Sequence, residues 1–226
     1  MFIPLRDENP TSRLPVVTVL LIAANAAVFL LQAVAPGGLE SAAVRFGAVP
    51  YEITHFRSLP ETAAFPPLLT LLTSMFIHGS LFHLLGNMLY LWIFGNNIED
   101  RLGPVRFALF YLVCGVAASL THILAQPGSR VPMIGASGAI AGVLGAYWVL
   151  FPRARVKTFI FLIFYIDVVP IPARIILGLW FLVQILNIGM GGGVAWFAHI
   201  GGFLAGLLFI RLALGRAFRR PFRGES

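Results

Sequence analysis

Six apolar segments constrain this chain more than any other feature, because each is about long enough to cross a lipid bilayer. Hydrophobic residues make up 58% of the 226 residues and charged residues only 11%, a composition that excludes an ordinary soluble domain. The segments cover residues 15–34, 81–98, 104–124, 135–151, 172–189 and 193–214. We therefore predict an all-α membrane protein, a single domain over residues 1–226 that folds as a bundle of six transmembrane helices.

The basic residues predict how this bundle is oriented. With the N-terminus in the cytoplasm and six spans, 13 of the 16 Lys and Arg residues lie on the cytoplasmic side, including those of the tail after residue 214. The opposite side carries only Arg45, Arg57 and Arg130, in line with the positive-inside rule. The net charge of +7 therefore reflects membrane orientation. No nucleic-acid partner is predicted, because the basic residues flank apolar runs and do not form one face.

Two further stretches fit neither a plain span nor a plain loop. Residues 35–80 are too long and mixed for a simple loop, and we interpret them as a structured, partly interfacial segment. Residues 158–169 are apolar and aromatic, yet they contain Asp167 and lie between Lys157 and Pro170. They fit either an interfacial segment or the start of a long, broken fifth span.

Polar side chains occur in three of the predicted spans, at a similar depth on the outer side. Ser137 lies about one turn into the fourth span, and His199 lies about two turns into the sixth. His83 and Asn87 fall in the first two turns of the second span. Polar and ionisable residues are costly inside a bilayer, so they indicate function by default. Their common depth predicts a polar pocket that opens outward.

Ser137 and His199 together predict hydrolytic chemistry. A serine hydroxyl is a weak nucleophile until a base takes its proton, and a neutral histidine can do this and later protonate the leaving amine. Asp and Glu occur only in the termini and loops, so we predict a two-residue dyad without a carboxylate. No HExxH motif is present, and neither a metal nor a cofactor is predicted.

The same pocket offers hydrogen-bond donors for an oxyanion. His83 and Asn87 are four residues apart, which places them on one face of a helix, and both side chains can donate. The backbone N–H of Ser137 is a third candidate for this oxyanion hole. Gly135 lacks a side chain and would let a substrate backbone come close.

Two glycine pairs predict how the dyad is assembled. Gly138 and Gly142 in the fourth span, and Gly202 and Gly206 in the sixth, each form a GxxxG pattern. Such patterns let helix backbones approach closely in lipid. We expect them to bring Ser137 and His199 within hydrogen-bond reach.

Three ordered motifs resemble those of the rhomboid intramembrane serine proteases. They are Gly135-Ala136-Ser137-Gly138 for GxSG, His83 to Asn87 for HxxxN, and Ala198 to Gly206 for AHxxGxxxG. Glu99 to Gly103 looks like the ExxxG element after the family's second span, and the resemblance covers essentially residues 15–214. It implies a rhomboid-type bundle in which Ser137 is the nucleophile and His199 the base. It also implies that His83, Asn87 and the Ser137 amide form the oxyanion hole.

The resemblance further implies what the protein acts on and where. Its partners would be the lipid bilayer and single-span membrane proteins, whose helices unwind readily and are cut near the outer face of the membrane. Substrates would enter sideways between the second and fifth spans. The glycine-rich loop at 189–193 could cap the dyad. The compact six-span form suggests a bacterial plasma membrane, and no oligomeric state is predicted.

One position departs from the family pattern. Many relatives carry an aromatic residue four positions after the serine, packed against the catalytic histidine, and this chain has Ala141 there. Trp196 is a candidate to hold His199 in its place.

Two other functions compete with a protease. One is a catalytically inactive relative that binds membrane proteins; loss of the serine or the histidine would mark it, and both are present. The other is a small transporter, which would favour inverted repeats and intramembrane carboxylates, and the sequence has neither.

Overall fold

The computed structural model describes residues 2–60, 62, 65–162, 165–190 and 193–214, and these residues are mostly helical. The helices are α1 (Val16–Val34), α2 (Gly38–Phe46), α3 (Pro50–His55), α4 (Thr70–Thr73), α5 (Leu81–Tyr90), α6 (Asn96–Leu102), α7 (Pro104–Ala125), α8 (Ser137–Leu150), α9 (Ala173–Leu186) and α10 (Trp196–Leu214). Pro67–Leu69 and Ser74–Phe76 form 3-10 turns on either side of α4, and the π-helical segment Leu91–Gly95 joins α5 to α6. The strands are β1 (Phe2–Asp7), β2 (Arg155–Leu162) and β3 (Tyr165–Pro172).

The longer helices lie within a few residues of the predicted apolar segments, but they differ in length. Helices α1 and α7 are each long and apolar enough to cross a membrane alone. The pair Pro67–Phe76 and Leu81–Leu102, bent by 80°, passes the same test when it is taken as one span. Helices α8 and α9 have 14 residues each, so each rises only about 21 Å against a hydrocarbon core of about 30 Å. The described part of the chain is therefore a membrane protein with two or three full-length spans, and the count of six stays a prediction.

A three-stranded antiparallel sheet, in the order β1-β2-β3, corrects the prediction of an all-α fold. The segment 158–169 is not the start of a broken fifth span, because its described residues, 158–162 and 165–169, belong to strands β2 and β3; that it lies at the membrane interface stays a prediction. Both strands are rich in β-branched and aromatic residues, which favour a pleated surface. Pro170 and Pro172 are tolerated because β3 is an edge strand. Hydropathy alone did not distinguish this hairpin from a membrane-associated segment.

Residues 35–80 are structured where they are described, as the sequence predicted. Helices α2 and α3 and the helical turns of 67–76 occupy much of the stretch. An antiparallel bridge between Ala48 and Met133 ties it to the segment that leads into α8. The stretch therefore supports the segment that precedes Ser137.

The core of the protein lies between α7, α8 and α10, which pack against one another. Large side chains of α7 and α8 are fully buried there, among them Phe107, Phe110, Tyr111, Leu144 and Tyr147. Burial of such side chains stabilises a fold by about 1.5–3 kcal/mol each in water, but in lipid helices are held together mainly by close van der Waals packing. The helices that carry Ser137 and His199 thus belong to the buried centre of the fold.

Glu99 anchors α1 by capping the start of that helix. Its carboxylate accepts hydrogen bonds from the backbone N–H groups of Val17 and Thr18 and from the Thr18 hydroxyl, each at 2.8 Å. A negative charge at a helix N-terminus satisfies otherwise free N–H groups and complements the helix dipole. Glu99, which the sequence placed in an ExxxG element, therefore joins α6 to α1.

A second network joins β1 to the bundle through Asp7. Its carboxylate accepts hydrogen bonds from the Tyr147 hydroxyl at 2.7 Å and from the Asn97 amide at 2.6 Å. Burial outweighs these hydrogen bonds and raises the pKa of Asp7 above its usual value. The N-terminal strand is thus fixed at the same end of the bundle as α6 and the end of α8.

Cysteine accessibility would test the predicted orientation. Replacing Ser41 or Ser226 with cysteine should give labelling of residue 41 only from outside the cell and of residue 226 only from the cytoplasm. The single native cysteine, Cys114, is fully buried and serves as the unlabelled background. Labelling of both introduced cysteines from the same side would contradict an even number of spans.

Candidate active site

Ser137 and His199 are in direct hydrogen-bond contact. Ser137 is the first residue of α8, and the distance from its Oγ to His199 Nε2 is 2.8 Å. His199 lies in the first turn of α10, because that helix begins at Trp196, three residues later than the predicted span. The two side chains are 62 positions apart in sequence and are both half-buried. A hydroxyl that donates to an imidazole nitrogen at this distance has the geometry for proton transfer.

The backbones of α8 and α10 touch at the glycines of α10. A Cβ added to Gly202 would collide with the carbonyl oxygen of Gly138, and one added to Gly206 would collide with that of Gly142. Gly145, which the sequence reasoning did not single out, would meet the carbonyl oxygen of Phe203. The two helices can approach this closely only because these positions lack side chains.

Two glycines of α8, Gly138 and Gly142, also lie close to α7. A Cβ at Gly138 would lie 2.7 Å from the Cβ of Ala118, and one at Gly142 would collide with Cys114, both on α7. Gly138 and Gly142 therefore let α7 approach α8, while their carbonyl oxygens contact α10. The two glycine pairs therefore contact each other between α8 and α10, and the pair on α8 also lets α7 come close.

A valine at position 202 should disturb both activity and stability. Its Cβ has no room beside the Gly138 carbonyl, so α10 must move away from α8 and carry His199 with it. A displacement of about 1 Å costs roughly 100-fold in rate, and overpacking typically costs about 1–3 kcal/mol. Leu208→Val, at a side chain that is 55% exposed on the same helix, is the matched control. The rate of the predicted proteolysis and the thermal unfolding of both variants would test this, and near-normal values for Gly202→Val would contradict the close-packing argument.

His83 and Asn87 lie beside the turn that precedes Ser137. Gly135 has φ of +113°, a conformation that side chains rarely adopt. A Cβ there would lie 2.7 Å from His83 Nε2 and 3.6 Å from Asn87 Nδ2. Ser137 follows two residues later, and its N–H, at the start of α8, has no carbonyl to bond within the helix. The three donors predicted for an oxyanion hole are thus brought together around one turn.

Two further contacts fix this part of the pocket. The Gly135 N–H donates to the carbonyl of Ser74 at 2.8 Å, which holds the turn. The Asn87 amide lies 2.9 Å from Nε2 of the fully buried His78. Gln32 of α1 bonds to the backbone N–H and carbonyl of His78 at 3.1 and 3.3 Å. His78 therefore orients the Asn87 side chain and links it to α1.

Helix α9 supplies a residue that the sequence reasoning missed. The distance from Gln184 Oε1 to His199 Nδ1 is 2.7 Å. The Trp180 ring, one turn earlier on α9, lies 5.7 Å from the His199 ring, and Trp196 lies 6.2 Å away and nearly perpendicular. Trp196 is therefore one of two indole rings beside His199. A signal was present in the sequence, because Gln184 is a polar residue within an apolar segment.

Some residues that the predictions use lie outside the described part of the chain. They are Gly191 and Gly192 of the predicted cap loop, and Arg216, Arg219, Arg220, Arg223 and Ser226 of the tail. Gly189 and Gly193, on either side of the gap, have positive φ values of +82° and +70°.

Comparison with known proteins gives a consistent family. A sequence model of the Rhomboid domain matches residues 67–216. The chain is 34% identical over 152 residues to Rhomboid protein 1, mitochondrial, of Saccharomyces cerevisiae. The matched region covers 62% of this chain and 40% of that protein. It is 32% identical over 195 residues to Presenilin-associated rhomboid-like protein, mitochondrial, of Mus musculus. Here the matched region covers 84% of this chain and 46% of that protein. The chain thus spans less than half the length of these curated relatives.

The fold and the site define a helical membrane protein with a serine and a histidine in contact between two tightly packed helices. With the matching domain and relatives, they show that the chain belongs to the rhomboid family. The resemblance read from the three motifs is confirmed.

Proposed function

We propose that this protein is an intramembrane serine endopeptidase that cuts transmembrane-helix substrates near the outer membrane face. The observation that carries the proposal is the 2.8 Å contact between Ser137 Oγ and His199 Nε2. A serine activated by a neighbouring base is the arrangement that nucleophilic catalysis requires. Family membership alone does not decide activity, so the proposal rests on the presence and geometry of both residues.

In the proposed first step, Ser137 Oγ attacks the scissile carbonyl while His199 Nε2 takes the hydroxyl proton. The C–N bond then breaks, and the same proton passes from His199 to the leaving amine. The negative oxygen of the tetrahedral intermediate would accept hydrogen bonds from His83, Asn87 and the Ser137 N–H. The N-terminus of α8 adds a favourable dipole at this point.

Hydrolysis of the acyl-enzyme needs water close to Ser137. A cavity of about 20 Å³ lies behind the serine, with Ser74, Ser119 and Gly138 in its lining. The cavity can hold about one water molecule, and the hydroxyls of Ser74 and Ser119 are suitable hydrogen-bond partners for that water. Water held there could attack the acyl carbonyl while His199 takes one of its protons. The bond from that carbon to Ser137 Oγ then breaks, and the proton returns from His199 to the serine oxygen.

The substrate would enter between α5 and α9. An apolar groove between them is lined by Tyr90 and Phe94, by Ile176, Leu177 and Trp180 of α9, and by Phe2 and Pro4 of β1. Its lining suits a hydrophobic transmembrane helix, and Trp180 is also the residue beside His199. Lateral entry would therefore bring a substrate to Trp180, whose ring lies beside that of His199.

We assign the protein to a membrane with both termini in the cytoplasm, on the charge asymmetry of its loops. The two relatives described above carry mitochondrial names. A location in the bacterial plasma membrane stays a proposal, and cell fractionation with a tagged chain would test it.

A defined cleavage assay tests the proposed activity. Purified protein in liposomes would be mixed with a fluorescently labelled single-span substrate that has small residues near its outer end. The expected result is one major cut near the outer face, absent for Ser137→Ala. Substrate binding without any cut by the native chain would instead identify an inactive, binding relative. Cleavage that persists in Ser137→Ala would identify a contaminating protease.

A further inference from the structure

We propose that Gln184 is a positioning residue that completes a Ser137–His199–Gln184 relay. The inference rests on the proposed function and deepens it, because it says what holds the histidine of a dyad that has no carboxylate. Gln184 is 4% exposed, and its Oε1 lies 2.7 Å from His199 Nδ1. Serine, histidine and glutamine thus come from three different helices, α8, α10 and α9.

The hydrogen bonds of Gln184 fix the direction of the whole relay. Its Nε2 lies 2.8 Å from the carbonyl oxygen of Trp180, which can only accept, so the amide nitrogen must face that carbonyl. The amide oxygen therefore faces His199, and an oxygen can only accept from Nδ1–H. With its proton on Nδ1, the imidazole has a free lone pair on Nε2. That lone pair is the one that must take the proton of Ser137 Oγ.

Without Gln184, the histidine could adopt the wrong tautomer. A proton on Nε2 would donate to Ser137 Oγ at the same 2.8 Å distance, and the imidazole could then not act as base. In a serine protease with a buried aspartate, loss of the correct tautomer costs about 10⁴-fold in kcat. A neutral amide orients the ring but does not stabilise the imidazolium charge as a carboxylate does. The effect expected here is therefore smaller, about 10- to 100-fold.

The same bond ties the outer half of α9 to the site. The structure describes all of α9, and beyond Leu177 its only buried residue is Gln184. Leu179, Leu182, Val183, Ile185 and Leu186 are each exposed by more than 40%. The outer part of α9 is thus held by Gln184 and by the rings of Trp180 and Phe181, both of which stack on Phe203. A substrate that displaced this part of α9 would also release His199.

Two matched variants separate positioning from helix stability. Gln184→Met keeps the length of the side chain but removes the acceptor for Nδ1. Asn187→Leu, one turn later, likewise removes a side-chain bond to the carbonyl four residues back, that of Val183 at 2.7 Å, without touching His199. The readout is the rate at which a fluorophosphonate probe labels Ser137, which requires no bound substrate. The expected result is at least a tenfold loss for Gln184→Met and a change within about twofold for Asn187→Leu.

Restoring an acceptor should restore the rate. Gln184→Glu, which again presents an oxygen to Nδ1, should label at least tenfold faster than Gln184→Met. In cleavage assays, Gln184→Met should lower kcat and leave KM within about twofold, because the residue acts through the base and not on the substrate. A loss of less than tenfold in Gln184→Met, an equal loss in Asn187→Leu, or equal rates for the Met and Glu variants would overturn the proposal.

Histidine NMR tests the relay even if the protein cleaves nothing. In ¹⁵N-histidine-labelled native protein, the His199 signal, assigned by its loss in His199→Gln, should report a proton on Nδ1 alone. In Gln184→Met the same signal should report a mixture of tautomers. An unchanged tautomer would refute the role of Gln184. An inert native protein whose tautomer does respond would refute the proposed protease function and leave the relay standing.

Discussion

Replacing Ser137 or His199 with alanine is expected to abolish cleavage. Ser137→Ala removes the nucleophile, and His199→Ala removes the group that receives its proton at 2.8 Å. For a nucleophile or base of this kind, the loss in kcat is about 10⁶-fold. The measurement is single-turnover cleavage of a labelled transmembrane substrate in liposomes, with thermal unfolding recorded on the same samples to establish that each variant is folded.

A double variant tests more directly whether Ser137 and His199 act together in one catalytic step. Members of one catalytic unit act non-additively, so Ser137→Ala combined with His199→Ala should be little slower than either single variant. If the two residues contributed independently, the fold-losses in kcat of the two single variants would instead multiply. If either single variant kept turnover near that of the native chain, the assignment of the dyad would be wrong.

Removing an oxyanion donor is expected to give the next largest loss. Asn87→Ala and His83→Ala each delete a side chain that lies beside Gly135, where the intermediate would develop its charge. Loss of one such donor costs on the order of 100- to 1000-fold in kcat. Because the bond strengthens as the charge develops, KM should change far less than kcat, and steady-state kinetics with a transmembrane substrate measure both.

Two exposed positions on the same helix serve as controls for this test. Phe82 and Leu85 are 87% and 53% exposed, and their alanine variants should retain native kcat. An effect of His83→Ala or Asn87→Ala confined to KM would indicate substrate contact and not oxyanion stabilisation. An equal loss in Phe82→Ala would indicate that α5 is simply destabilised.

Hydropathy predicted where the helices lie better than it predicted what lies between them. Pro104 sits at the first turn of α7, where the sequence placed the start of the third span. The β2–β3 hairpin was missed because an apolar, aromatic run next to the membrane has the same hydropathy whether it forms a strand or an interfacial helix. Its pairing with β1, about 150 positions away in sequence, is a tertiary property that local patterns do not contain.

The candidate site was predictable in its residues but not in its full geometry. Ser137, His199, His83 and Asn87 stand out because polar groups in apolar segments are rare. The role of Gln184 depends on how α9 packs beside α10, and that packing is not encoded in any spacing along the chain. The sequence has Ala141 where an aromatic residue was expected beside His199. Only the contacts between helices show which side chains lie against His199 instead.

The central claim is that Ser137 is a nucleophile activated by His199. The most direct measurement is mass-spectrometric mapping of the adduct formed by a fluorophosphonate with the purified protein. We predict a single adduct on Ser137 that is lost when His199 is replaced with alanine. Failure of the folded native chain to react, or equal labelling of Ser137 in His199→Ala, would contradict it.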